Sequence, residues 1–243
     1  MSQRFTSVDR YIDQHLDGWV ADLSRLCAIP SVSARHEGVD DCAEAVADLI
    51  RGRGFETRVE RTDGHPIVLA HATGANPDRT MLLYNHYDVQ PAEPLELWDS
   101  PPFEPQVRDG KLYARGAKDD KGELVSRLAA VDALRAADGT LPCNVTWLVE
   151  GEEEVGSKHL TGFVERHVDE LVCQGAIWEE GGIDADGRPT LTLGVRGLLY
   201  VELHVQSLSR DGHSGGANLL PNAAWRLVWA LSTLKDQDER VLI

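Results

Sequence analysis

Apolar side chains return at helical spacing over residues 5–28: Val8, Tyr11, Ile12, Leu16, Val20, Leu23, Leu26 and Cys27. That period predicts an amphipathic helix. It should end before Ile29-Pro30, because proline pushes the preceding residue out of helical backbone. A second helix fits 38–53, with Cys42, Val46, Leu49 and Ile50 inward and Gly54 near its stop. Short strand-like runs follow at 57–60, 67–70 and 80–84, the last apolar on both faces as in a central strand. The pattern then predicts a helix over 120–137, a strand over 145–149, a helix over 157–168 and a strand over 175–178. This alternation predicts an α/β domain whose central sheet is flanked by helices.

The texture changes after Gly194. Leu199, Val201, Leu203 and Val205 alternate with Tyr200, Glu202, His204 and Gln206, the signature of a half-exposed antiparallel strand. A Gly/Ser-rich turn at 209–216 and a helix over 221–234 come next, and Val241-Leu242-Ile243 reads as the entry to a strand. The expected division is a first domain of residues 1–197 and a second of 198–243. About 45 residues are too few for an independent core. The apolar faces of 199–205 and of Trp225, Val228 and Trp229 are therefore expected to need cover.

Charge narrows the function. Lys and Arg total 24 against 40 Asp and Glu, a formal charge of −16. Such a surface repels phosphate backbones and anionic lipid, so neither nucleic acid nor a membrane is expected as a partner. No apolar run approaches the roughly 20 residues that cross a bilayer. The first residues lack the apolar core of a secretory signal, so a cytoplasmic location is expected. Cys27, Cys42, Cys143 and Cys173 form no CxxC pair and read as small thiols in a reducing compartment. The sequon Asn144-Val145-Thr146 falls in a strand-like run and is set aside.

Three clusters at the ends of strand-like runs carry chemistry, the place where ligands collect in α/β sheets. In Tyr84–Pro91, His86 and Asp88 share a face of extended chain, as for a metal-bound imidazole held by a carboxylate; the bland alternative is a strand-end histidine with a chance neighbour. In Arg115–Glu123, Asp119 and Asp120 either cap the next helix or offer oxygens that bridge cations. In Glu150–Ser157, four acids fall within five residues. A solvated loop tolerates their repulsion; a metal site relieves it.

Together the clusters resemble the metallopeptidase family of carnosinase-like dipeptidases, aminoacylases and glutamate carboxypeptidases. That family's motifs run Gly-His-x-Asp-Val-x-Pro, Gly-Arg-Gly-x-x-Asp-x-Lys-Gly and Glu-Gly-x-Glu-Glu-x-Gly-Ser, and here they stand, in that order, as Asn85–Pro91, Ala114–Gly122 and Glu150–Ser157. Trp98–Phe103 and Asp109–Tyr113 fit between them, and the dipeptidase branch is the nearest match. The resemblance implies a central mixed sheet with flanking helices, followed by the beginning of an α+β lid and dimerisation domain. It implies two zinc ions, with Mn or Co as substitutes, and hydrolysis of a small peptide by a metal-activated water. His86 would ligate one zinc, Asp119 would bridge both and Glu154 would serve the second. Asp88 would orient His86, and Glu153 would be the general base. Arg210–Gly216 resembles the lid motif whose histidine, here His213, reaches a partner subunit's site, so a homodimer is implied. A cis peptide is expected at Asp119-Asp120.

Departures from the pattern matter. Asn85 and Ala114 stand where it has glycine. Where the family carries an aspartate ligand, this chain has Glu179-Glu180; Glu179 is assigned, with Glu180 as the alternative. The family's last ligand is a histidine from a returning C-terminal half, and none of His159, His167 or His204 has a matching context. The chain is therefore expected to be a fragment or a truncated product, inactive by itself. Rival readings are an N-acyl amino-acid deacylase with the same site, and a non-catalytic dimerisation protein.

Overall fold

The computed structural model describes residues 3–179, 181–194 and 196–243. It divides into two units, Met1–Leu191 and Thr192–Ile243. The first contains helices α1 (Gln3–Cys27) and α2 (Val39–Arg51), then strands β1 (Glu56–Glu60), β2 (Ile67–Ala72) and β3 (Thr80–His86). A small hairpin of β4 (Gln106–Arg108) and β5 (Lys111–Tyr113) leads to α3 (Lys121–Asp138). β6 (Asn144–Glu150), α4 (Leu160–Arg166) and β7 (Gly175–Ile177) follow. The hairpin was not anticipated, although its Asp109-Gly110 turn has the signal: both residues take positive φ, 50° and 74°, as a two-residue hairpin loop demands.

The main sheet is mixed, in the order β1-β2-β6-β3-β7. β2 is antiparallel to β1 and β6, while β3 runs parallel to β6 and β7. Alternation along the strands feeds two cores. Val68, Ala70, Leu83, Val145, Trp147 and Val149 pack against α1, α2 and α3 on one face. Ile67, Leu69, Tyr84 and Leu148 pack with Phe163 of α4 on the other. α4 is shorter than the apolar spacing suggested, because Ser157 takes positive φ (48°) and spends its hydroxyl on Glu150.

Polar contacts tie the helical layer together. Trp19 of α1 donates to Asp132 of α3 at 3.0 Å, and Arg53, just past α2, pairs with Asp22 at 2.6 Å. Lys121, in the first turn of α3, is wholly buried and donates to the carbonyls of Leu26 at 2.8 Å and Ile29 at 2.7 Å. These close the C-terminal end of α1, where the helix dipole is negative, so a buried ammonium finds its countercharge in backbone oxygens. Cys27 and Cys42 are buried free thiols; burial pushes the Cys27 thiol up to about 11.

In the second unit, α5 (Ala223–Ser232) begins at Asn222, whose side chain accepts from Ala224 N and Trp225 N at 2.9 and 3.3 Å. The strand expected over 199–206 does not form. A strand needs a ladder partner, and none of the described residues pairs with this segment. Trp225, Val228 and Trp229 of α5 are exposed.

The Lys121 contacts generate a stability prediction. Lys121→Met keeps the apolar stem and takes the charged donor from both carbonyls; that of Leu26 still accepts from Ile29 N at 3.1 Å, while that of Ile29 loses its Lys121 partner, so the change should cost about 1–3 kcal/mol. Urea unfolding should show it, and a loss near zero would mean that water or rearrangement replaces the ammonium.

Candidate metal centre

Parallel pairing sets His86 opposite Glu150, so β3 and β6 end at the same level. Their following loops, and the segment after β7, leave from one edge of the sheet. This edge collects the acidic clusters.

His86 closes β3 and is buried. Its Nδ1 lies 3.0 Å from the Asp88 carbonyl oxygen and 3.3 Å from the Asp88 carboxylate. Nε2 faces three further carboxylates: Asp119 at 3.0 Å, Glu179 at 3.6 Å and Glu153 at 3.9 Å. A ring that donates from Nδ1 presents a lone pair at Nε2, and a lone pair against three acceptors is repulsive. Only a proton or a metal cation on Nε2 reconciles them. Burial lowers the pKa of His86, but the Asp88 hydrogen bond and the charges of Asp88, Asp120 and Glu179 outweigh it and push it up to about 10.

Asp88 is wholly buried, and its two oxygens accept from the backbone N–H groups of Glu153 at 3.2 Å and Glu154 at 3.1 Å. These two residues open a 3-10 turn, Glu153–Val155. Glycine is required just before it: a Cβ on Gly151 would sit 2.3 Å from the Tyr87 hydroxyl. The acidic run is not a solvated face. Glu150 is buried and accepts from Tyr84 and Ser157, and Glu152 pairs with His159 at 2.7 Å. Burial raises the pKa of Glu153 above the usual carboxylate range; His86 opposes the shift, and Glu154, Asp88 and Asp119 add to it. The Glu154 carboxylate accepts from Gln90 at 2.8 Å.

Asp119 and Asp120 are joined by a cis peptide bond. Asp120 occupies the N-cap position of α3 but makes no side-chain capping bond. It is buried, and its Oδ2 accepts instead from Asn85 Nδ2 at 2.7 Å and His86 N at 3.0 Å. Burial raises its pKa to about 6. Asp119 is half-exposed and turns Oδ1 to His86.

Glu179 follows β7 with a side chain only 10% exposed, and its buried Oε2 has no hydrogen-bond partner. Burial raises its pKa to about 8, against the pull of His86 and with Asp120, Glu153 and Asp119 adding to the rise. An orphaned carboxylate oxygen beside an imidazole is what a missing cation leaves. Ligand atoms of His86, Asp120 and Glu179 lie within 4.8 Å of one another, the one such group of three or more among the described residues. A nitrogen and carboxylate oxygens suit zinc, and also manganese or cobalt. The residues present therefore fit a divalent metal.

Of the residues singled out from sequence, His86, Asp88, Asp119, Glu153 and Glu179 meet around one imidazole. The Glu154 carboxylate turns to Gln90 and is not in the three-residue group. Glu180 lies outside the described residues. His213 belongs to the second unit, where its Nδ1 accepts from Gly215 N at 3.0 Å. The doublet Asp119-Asp120 was open to a ligand role from the sequence, but the resemblance assigned it to Asp119 and left Asp120 out, and Asn85 had no partner; the polar residue at a glycine position was the available signal.

Comparisons with known proteins agree with this chemistry. Residues 82–232 match the family model described as Peptidase family M20/M25/M40. The Beta-Ala-His dipeptidase of Mus musculus is 33% identical over 96% of this chain and 51% of its own length. The Cys-Gly metallodipeptidase of Schizosaccharomyces pombe is 32% identical over 96% of this chain and 52% of its own. Among solved structures, an M20 family metallo-carboxypeptidase from Sulfolobus solfataricus superposes with a TM-score of 0.85 at 40% identity, covering 92% of this chain and 51% of that one. Human carnosine dipeptidase 1 gives 0.71 at 26% identity, over 100% of this chain and 55% of that one. The chain thus spans about half the length of the curated relatives it matches.

Two predictions follow from the geometry. The shifts of His86, up to about 10, and of Glu179, up to about 8, both favour the protonated form. A metal ion binding there must displace protons, so zinc affinity should rise with pH through neutrality, with protons released on binding. Calorimetric titration in buffers of different ionisation enthalpy counts them; pH-independent affinity with no proton release would remove both residues as ligands. Asp88→Asn should weaken zinc binding by roughly 10–100-fold. Chelator competition on the variant measures this, and an unchanged affinity would reduce Asp88 to a structural acid.

Proposed function

Because the chain belongs to the peptidase family M20/M25/M40, we propose that it carries the metal centre of a zinc-dependent dipeptide hydrolase. One observation carries the reading: three buried or nearly buried donors converge at a sheet edge, one of them an orphaned carboxylate oxygen, with Glu153 alongside. His86 and Glu179 would hold one zinc, Asp119 would be shared with a second, and Glu154 would serve that second ion. Asp88 fixes the imidazole. Bound divalent ions would polarise both the attacking water and the substrate carbonyl. Glu153 accepts the proton of that water and delivers it to the leaving amine, a role its raised pKa suits. Residues 198–243 belong to a lid that pairs two subunits, and His213 donates to the carbonyl oxygen as negative charge develops. Substrates are dipeptides of the kind named for the relatives, β-Ala-His and Cys-Gly.

Glu153→Gln in the complete protein should lower kcat by about 100-fold or more while zinc per chain, read by plasma mass spectrometry, stays constant. Glu154→Gln should lose zinc. Equal metal loss in both variants would merge the two roles. A substrate panel of β-Ala-His, Cys-Gly and N-acetyl amino acids separates the readings: cleavage of the acetylated compounds alone would make the protein a deacylase.

A further inference from the structure

Glu179 sits where the sheet has stopped holding its strand. β3 and β7 pair only as far as Leu83 opposite Ile177. Trp178 and Glu179 lie beyond that ladder, yet Glu179 must meet His86, three residues past Leu83. A glutamate reaches its carboxylate through one more rotatable bond than an aspartate, so its backbone needs firm placement if the oxygen is to serve a metal. Ligand groups perform only when held within about 0.5 Å of the productive geometry.

Two side chains one turn apart on α3 supply that placement. Arg127 donates to the carbonyl oxygens of Trp178 and Tyr84. Glu123 accepts from Gly181 N at 2.9 Å, and its other oxygen lies 3.8 Å from Arg127 Nη2. The carbonyl before Glu179 and an N–H two residues after it are therefore gripped by the same helix. Trp178 also stacks on Tyr84, with ring centres 3.7 Å apart and planes 15° apart. Asn85 anchors the grip on the other side. It is wholly buried; its Oδ1 accepts from Arg127 and from Trp147 Nε1 at 3.0 Å, and its Nδ2 donates to Asp120. Glu123 offsets the guanidinium charge, so the pair brings no net positive charge towards a bound cation.

We propose that Glu123 and Arg127 form a clamp that positions Glu179 as a metal ligand, anchored to the His86 strand through Asn85. The clamp touches no substrate and acts only through Glu179; it rests on the metal-centre reading above.

The test compares the parent chain with Glu123→Ala, Arg127→Ala, Glu179→Gln and the double variant Glu123→Ala/Glu179→Gln. Zinc affinity is read by chelator competition, ligand geometry by the visible spectrum of the cobalt-substituted chain, and folding by thermal melting with chelator present. Glu123→Ala should bind zinc roughly 10–100-fold more weakly, alter the cobalt spectrum and leave the chelated melting temperature unchanged. Arg127→Ala should do the same or fail to fold; in the latter case Glu123→Ala, whose side chain is partly exposed, decides alone. The double variant should bind no more weakly than Glu179→Gln, since residues acting through one ligand are not additive. Parent-like affinity and spectrum in Glu123→Ala, or losses that add to those of Glu179→Gln, would overturn the clamp while leaving the metal centre standing. Failure of the parent chain to bind zinc would overturn the metal centre, and the clamp with it.

Discussion

A carboxylate removed from water must find a donor for its lone pairs or give up its charge. Asp88 is wholly buried, and the donors it finds dictate the geometry around it. Two are the backbone N–H groups of Glu153 and Glu154; the third is the Nδ1 side of His86. One side chain thus joins the end of β3 to the turn after β6. The parallel register that sets His86 opposite Glu150 makes the span possible. The imidazole and the acidic turn are oriented by one buried charge, so neither moves without the other.

The same accounting governs the rest of this edge. Asp120 forgoes its helix cap to accept from Asn85 and the His86 backbone, Glu150 accepts from the hydroxyls of Tyr84 and Ser157, and Glu152 pairs with His159. Lys121 spends its ammonium on the end of α1, away from the carboxylates, and so holds α3 in place without competing for the site. What remains unbalanced is concentrated at His86 Nε2, with Asp119, Glu153 and Glu179 around it. Among the described residues the other buried acids find partners while one buried oxygen of Glu179 is orphaned, which locates the electrostatic deficit in one place.

Much of the fold was legible because burial imposes period. α1, α2, α3 and the strands β2, β3 and β6 carry apolar positions at 3.6 or 2.0 residue spacing, or run apolar on both faces, and each forms within a few residues of its expected bounds. The failures have a different origin. The alternation over 199–206 is as regular as that of any true strand, yet among the described residues it has no partner, and alternation cannot provide one. The β4–β5 hairpin was missed because its strands are three residues long, too short for periodicity to register, although Asp109-Gly110 marked its turn.

For the site, the sequence by itself determined the chemical inventory: an imidazole with its companion Asp88, a run of glutamates and a later Glu-Glu pair, each after a strand-like run, and an Asp-Asp doublet at the start of a helix. Local spacing suffices for that, since strand ends and turns are local events. It could not decide which acids face the imidazole and which are neutralised elsewhere. Asp119 and Asp120 are adjacent in the chain, yet one is half-exposed and turned to His86 Nε2 while the other is buried against Asn85. That division depends on residues far apart in sequence meeting across the sheet edge: Asn85 with Arg127 and Trp147, and α3 with the segment bearing Glu179. Only the tertiary structure decided it, because the cost of burying a charge is set by the donors around it in space, and the order of residues along the chain does not list them.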